Sequence, residues 1–142
     1  MSLYGIKTKP EYIDVFLEHA HRRRYPARST LIYAGDQSDS LFYIVKGSVS
    51  VIIEDEDGRE MVMAYLNEGD FFGEMGLFDP EAKARTAWVK AKADCEVAEI
   101  SYTKFLELVK TDPRLLYAIF EQMSLRLRNT TRKAGDLAFL DV

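Results

Sequence analysis

Hydrophobic and polar positions change period along the chain, and each change predicts an element. Within Glu11–Ala20, Ile13, Phe16, Leu17 and Ala20 recur at helical spacing, which predicts a short amphipathic helix. From about residue 25 to 70 the period shortens: Gly35, Gly47, Gly58 and Gly69 fall 12, 11 and 11 residues apart and separate runs rich in Val, Ile, Tyr and Phe. That cadence predicts a β-sandwich or barrel. Strands are predicted over Thr30–Tyr33, Leu41–Lys46, Thr86–Ala91 and Glu96–Ile100. The clearest signal is a hairpin over Val49–Leu66, with Asp57-Gly58 supplying a turn of positive φ. In its second arm Met61, Met63 and Tyr65 alternate with Val62, Ala64 and Leu66, so both faces are apolar and both are predicted to be sheltered.

The C-terminal third returns to helical spacing. Ser101 is a predicted N-cap for a short helix carrying Phe105, Leu108 and Val109. Asp112 and Pro113 then open a long helix predicted to reach about Ala134 and to stop at Gly135. In it Leu116, Phe120, Met123, Leu127, Thr130, Ala134 and then Leu137 are spaced 4, 3, 4, 3, 4, 3. This is a heptad seam, which predicts a homodimer through residues 113–137; packing on the chain's own β-core is the alternative. Thr130 interrupts an otherwise apolar seam, and a polar seam residue serves register or a ligand. The expected organisation is a β-domain with an N-terminal helix over residues 1–110, followed by a dimerisation helix and the start of a hinge over 111–142. The apolar run from Leu137 to Val142 reads as a lead into a further domain.

Composition narrows the function. The 142 residues are 47% hydrophobic and 30% charged, enough apolar material for one folded core. A net charge of −4 argues against a surface that grips DNA by counterion release. The basic clusters, Arg22-Arg23-Arg24 with Arg28 and Arg126, Arg128, Arg132 and Lys133, read as solvated faces. A lone cysteine, Cys95, and no apolar run near the ~20 residues of a membrane span predict a soluble, cytoplasmic protein. The two histidines, His19 and His21, lie outside the strand segments, and Cys95 has no histidine beside it in sequence. Neither a metal centre nor an activated nucleophile is expected, so the chain is not read as an enzyme.

Two segments do carry chemistry. The run from Gly69 to Phe78 holds glycines at 69, 73 and 76; either Gly73-Glu74 opens a turn whose N–H groups attract an anion, or the glycines turn a barrel corner. Ala84-Arg85-Thr86-Ala87-Trp88 sets one cation among small residues leading into a strand. A guanidinium entering a barrel wall needs a partner. Either Glu74 pairs with Arg85, or Arg85 forks onto a phosphate while Glu74 accepts from hydroxyls. The second arrangement suits a sugar phosphate.

Several long segments, in order, resemble the cyclic nucleotide-binding domain of the bacterial catabolite activator (cAMP receptor protein) family. They are Leu41-Phe-Tyr-Ile-Val-Lys-Gly-Ser-Val, Tyr65-Leu-Asn-Glu-Gly-Asp-Phe-Phe-Gly-Glu, Arg85-Thr-Ala-Trp-Val, Cys95-Glu-Val-Ala-Glu-Ile-Ser-Tyr and Gly135-Asp-Leu-Ala-Phe-Leu-Asp-Val. The resemblance implies a jelly roll, or double-stranded β-helix, with cAMP as allosteric ligand and no cofactor or metal. By motif, Gly73 and Met75 would offer backbone contacts, Glu74 would take the ribose 2′-hydroxyl, and Arg85 with Thr86 would hold the cyclic phosphate. Val51, Met63 and Ala64 would line the apolar side. Thr130 and Thr131 would read the adenine, one from each subunit of a parallel dimer, and Arg126 would reach Glu74. DNA would be contacted only by a helix-turn-helix domain absent from these residues. The segment Asp79–Ala84 departs from the activator's loop and is one residue longer. Thr86 stands where the activator has serine; in other branches a threonine there goes with cGMP. A cGMP-type or other effector is therefore the first alternative, and a cupin-like jelly-roll enzyme the second.

Overall fold

The computed structural model describes residues 12–139. Along the chain run α1 (Tyr12–His19), β1 (His21–Tyr25), β2 (Thr30–Ile32), β3 (Ser40–Lys46), β4 (Val49–Glu54), β5 (Glu60–Leu66) and β6 (Phe71–Phe72). They are followed by α2 (Met75–Phe78), β7 (Trp88–Ala91), β8 (Cys95–Ser101), α3 (Tyr102–Thr111) and α4 (Arg114–Phe139). Two four-stranded sheets form, with strand orders β1-β8-β3-β6 and β2-β7-β4-β5. Strand 1 thus pairs with 8, 2 with 7, 3 with 6 and 4 with 5, all antiparallel. This is the nested order that a long hairpin makes when it rolls into a jelly roll, as expected.

Burial explains why β3 is apolar from Leu41 to Val45. Side chains alternate across a strand, and both faces of the first sheet are covered. Phe42, Ile44, Phe72 and Val97 enter the core between the sheets. Leu41, Tyr43, Phe71 and Ile100 face outward into a second core with Phe16, Phe105, Leu115 and Ile119 from α1, α3 and α4. Phe16 centres that layer, 5.5 Å from the Phe71 ring and edge-on to it.

The helix caps follow the sequence. Ser101 accepts from the Lys104 amide at 3.1 Å, and Asp112 Oδ1 accepts from the Arg114 amide at 3.2 Å. Four expectations are corrected. First, the Arg22–Arg24 cluster is exposed as expected but also forms an edge strand that the sequence did not predict: Arg22 and Arg24 pair with Glu96, and Arg23 with Glu99, of β8. Second, β7 starts at Trp88, so Arg85 and Thr86 lie in the loop before it.

Third, β5 is not sheltered on both faces. It is the outer strand of its sheet, and Met61, Val62, Met63 and Tyr65 are exposed. Its strict alternation also fails, because Val51 pairs with Ala64 and Ile52 with Val62, which leaves Met63 as the extra residue of a bulge. Fourth, α4 runs through Gly135 to Phe139. A glycine ends a helix where the backbone turns left-handed, and Gly135 is not among the positive-φ residues. The tail expected to lead onward lies, for residues 140–142, outside the described residues.

Candidate functional site

The site is built where β6, α2 and the loop before β7 meet between the sheets. Gly73 follows β6 with φ +81°, a conformation glycine adopts without strain. A Cβ at Gly73 would lie 3.0 Å from both Arg85 Nη1 and the Phe42 ring. At Gly76 it would lie 2.9 Å from both Ser38 Oγ and the Tyr102 ring. The glycines of this segment are therefore clearances: one admits a guanidinium and the other an aromatic ring.

Arg85 occupies the first clearance. Nη1 donates to the Gly73 carbonyl at 2.8 Å, and Nη2 donates to the Ser40 carbonyl at 2.6 Å. The guanidinium also sits 5.7 Å from the centroid of Phe42. Among the described residues no carboxylate forms an ion pair with it, so the Arg85–Glu74 bridge weighed from the sequence does not form. Neutral carbonyls orient the charge without cancelling it. Of the five N–H donors a guanidinium carries, several remain for an anion.

A cavity of about 200 Å³ opens beside this group. Val51, Ala64, Leu66, Phe72 and Val89 form its apolar wall, and Gly73, Glu74, Met75, Arg85, Thr86 and Arg126 its polar one. Glu74 precedes α2 and makes no side-chain capping hydrogen bond. Among the described residues its carboxylate pairs with no cation, which leaves it open to a hydroxyl donor. Thr86 is exposed at the rim, with Oγ1 4.0 Å from Met75 Sδ.

Arg126 reaches the cavity from α4. It donates to the Phe71 carbonyl and lies 3.4 Å from Gln122 Oε1. Burial pulls its guanidinium below the ordinary arginine value, while Glu74 and then Asp70 act in the opposite direction. Arg126 thus senses Glu74 electrostatically without a direct ion pair. Phe78, at the end of α2, packs on Phe120 of α4 with ring centroids 5.5 Å apart.

Of the residues expected at the ligand, Gly73, Glu74, Met75, Arg85, Thr86, Val51, Ala64 and Arg126 converge on the cavity. Met63 does not, because the bulge leaves it exposed on the outer strand. Thr130 and Thr131 are exposed on α4 and do not line the cavity of this protomer. The Thr130 hydroxyl instead donates to the Arg126 carbonyl at 2.9 Å. Sequence reasoning missed Ser38, which lines the cavity, and Tyr102 behind it. Neither carries a charge or a spacing signal.

Helix α4 presents two stripes. Leu115 and Ile119 are fully buried on the barrel. Along the heptad positions, Leu116 and Met123 are half-buried against the same core, Phe120, Leu127 and Leu137 are exposed, and Ala134 is exposed as well.

Residues 22–112 match the model of the cyclic nucleotide-binding domain family. The chain belongs to that family. Among relatives of this cyclic nucleotide-binding domain, the cAMP-activated global transcriptional regulator Vfr of Pseudomonas aeruginosa is 61% identical over 136 residues, which cover 94% of the chain and 64% of Vfr. The cAMP-activated global transcriptional regulator CRP of Salmonella typhimurium is 54% identical over 130 residues, 92% of the chain and 61% of CRP. The solved structure of the c-di-GMP responsive global regulator CLP of Xanthomonas campestris is similar with a TM-score of 0.84 at 48% identity, covering 91% of the chain and 64% of that protein. The Thermus thermophilus catabolite activator protein gives a TM-score of 0.77 at 29% identity, covering 92% and 61%. The chain therefore spans a little over three-fifths of these relatives. Vfr and CRP are named as transcriptional regulators, not as enzymes. No helix among the described residues is long and apolar enough to cross a membrane.

Proposed function

We propose that this domain is the cAMP-sensing unit of a cytoplasmic transcription regulator and that cAMP acts on it as an allosteric ligand, not as a substrate or cofactor. The observation that carries this reading is Arg85: a half-buried cation held by carbonyls, unpaired with any acid among the described residues, beside a cavity that also holds an open carboxylate. Buried charge is costly without a counter-charge, so the arrangement fits an anionic ligand that also offers hydroxyls. In this reading Arg85 with Thr86 takes the cyclic phosphate and Glu74 the ribose hydroxyl. Gly73 and Met75 offer main-chain contacts, and Val51 and Ala64 line the apolar side. Thr130 and Thr131 reach the base only when a second copy pairs through α4, with residues 1–110 as the sensor and 111–142 as the dimerising helix. DNA is read by a part of the regulator outside these residues, in keeping with the net charge of −4. The two cAMP-activated relatives favour cAMP over cGMP.

Calorimetry of the purified chain with cAMP, cGMP and c-di-GMP tests the reading. Only cAMP should bind tightly, and Arg85→Leu should weaken it by about 3 kcal/mol, because the phosphate loses its charged partner. Unchanged affinity in the variant removes Arg85 from the site. Preference for c-di-GMP transfers the site to the dinucleotide named for the Xanthomonas relative.

A further inference from the structure

Tyr102 opens α3 and is tied down at both ends. Its amide donates to the Asp39 carbonyl at 3.0 Å. Its hydroxyl donates to the Gly73 carbonyl at 2.5 Å, lies 2.9 Å from Ser38 Oγ, and lies 3.5 Å from Arg85 Nη1. The Gly73 carbonyl thus receives two donors, the tyrosine hydroxyl and the guanidinium. The ring fills the clearance above Gly76. Tyr102 does not line the cavity; Ser38 and Arg85, which do, stand between its hydroxyl and that space. It stands behind Arg85, where the loop before β3, the Gly73–Phe78 segment and the arginine meet.

We propose that Tyr102 is a positioning residue for Arg85, its hydroxyl fixing the plane of the guanidinium so that the fork meets a phosphate without reorganising. The inference rests on the cyclic nucleotide reading for its ligand and on local geometry alone for its mechanism. A fork has to be coplanar with its acceptor to use two donors. A guanidinium anchored only by Gly73 and Ser40 keeps its charge but loses one of the groups that set its orientation. Removing the hydroxyl therefore acts through Arg85, and its effect vanishes once the fork is gone.

The test is a double-mutant cycle with cAMP as probe, together with NMR of the ligand-free protein. Tyr102→Phe is expected to weaken cAMP binding about tenfold, the scale of one hydrogen bond to a charged group. In an Arg85→Lys background, where the ammonium has no plane to set, the same change should alter affinity by less than about twofold. Equal loss in both backgrounds overturns the proposal. Without ligand, the Arg85 side-chain ¹⁵N resonances should be distinct in the parent protein and average or shift in Tyr102→Phe. Identical spectra overturn the proposal whether or not cAMP binds, while absence of cAMP binding by the parent protein overturns only the ligand reading. Ser38→Ala, which leaves the tyrosine and its ring packing in place, should weaken binding in the same direction by about threefold. A Ser38→Ala variant with parental affinity and parental Arg85 resonances counts against the network.

Discussion

Gln122 completes the free edge of β6 at Phe71. Its side-chain oxygen accepts the Phe71 amide at 2.7 Å, and its side-chain nitrogen donates to the Gly69 carbonyl at 2.7 Å. One amide therefore replaces the strand that β6, outermost in its sheet, lacks. Gln122→Leu leaves a part-buried N–H and C=O unpaired, which should cost about 2 kcal/mol. The check is a lowered urea midpoint at unchanged slope. A midpoint equal to that of the parent protein would mean that water replaces the amide freely.

At Gly73 a single methyl would disturb both the backbone and the cavity. Alanine there meets the positive φ and, at 3.0 Å, Arg85 Nη1 and the Phe42 ring. Backbone strain of this kind costs on the order of 1–3 kcal/mol, and the displaced guanidinium takes the proposed phosphate site with it. Gly73→Ala should therefore lower both the melting temperature and cAMP affinity, whereas Gly58→Ala, strained by its own φ of +81° but in open space at the hairpin tip, should lower only the first. Parental cAMP affinity in Gly73→Ala would separate the glycine from the site.

How much of this was legible depends on whether a residue's role is local. The hairpin at Asp57-Gly58, the cap at Ser101 and the opening of α4 follow from residues within a few positions of one another, and they were read correctly. β1 was not, because Arg22, Arg23 and Arg24 show no apolar alternation; its pairing is secured by carboxylates at 96 and 99, more than 70 residues away. β6 is two residues long inside a glycine-rich run, too short for periodicity to register. The exposure of β5 escaped because an apolar strand at an edge has the same sequence as one in the middle. That Arg85, Glu74 and Gly73 belong together was legible because an isolated charge among small residues is rare, and the three do line one cavity. Tyr102 was not, since an aromatic at a helix start reads as core until the hydroxyl's partners are seen.

Alkaline pH should destabilise the fold in two stages. Burial pushes the Cys95 thiol above its ordinary value, and burial likewise raises the Tyr43 phenol. In both cases the folded state holds the proton more tightly than the unfolded chain. Stability is then full below the unfolded thiol value, near 8.5, and declines as pH rises through it towards the folded value, with Tyr43 adding to the decline above about 10. Urea midpoints between pH 7 and 11 measure this. Cys95→Ala should flatten the first part of the decline, and an unaltered slope would show that the thiol does not contribute.

The exposed stripe of α4 is where the proposed pairing of two copies would join assembly to the site. Leu127 is 67% exposed, whereas Leu116 also packs on the chain's own core. Leu127→Glu is therefore the cleaner test of pairing: it should convert a dimer to monomers in sedimentation at little cost to barrel stability, while Leu116→Glu should lower the melting temperature as well. The stripe also carries Phe120, against which Phe78 of α2 rests, while Arg126, which lines the cavity from the same helix, donates to the Phe71 carbonyl of β6. Pairing of two α4 helices and occupation of the cavity thus bear on the same few contacts. Linkage is reciprocal, so if cAMP favours the paired helices, monomeric Leu127→Glu should bind cAMP more weakly, within the usual coupling of about 1–3 kcal/mol. A monomer with parental affinity would uncouple the helix from the site and leave Thr130 and Thr131 without a role at the base.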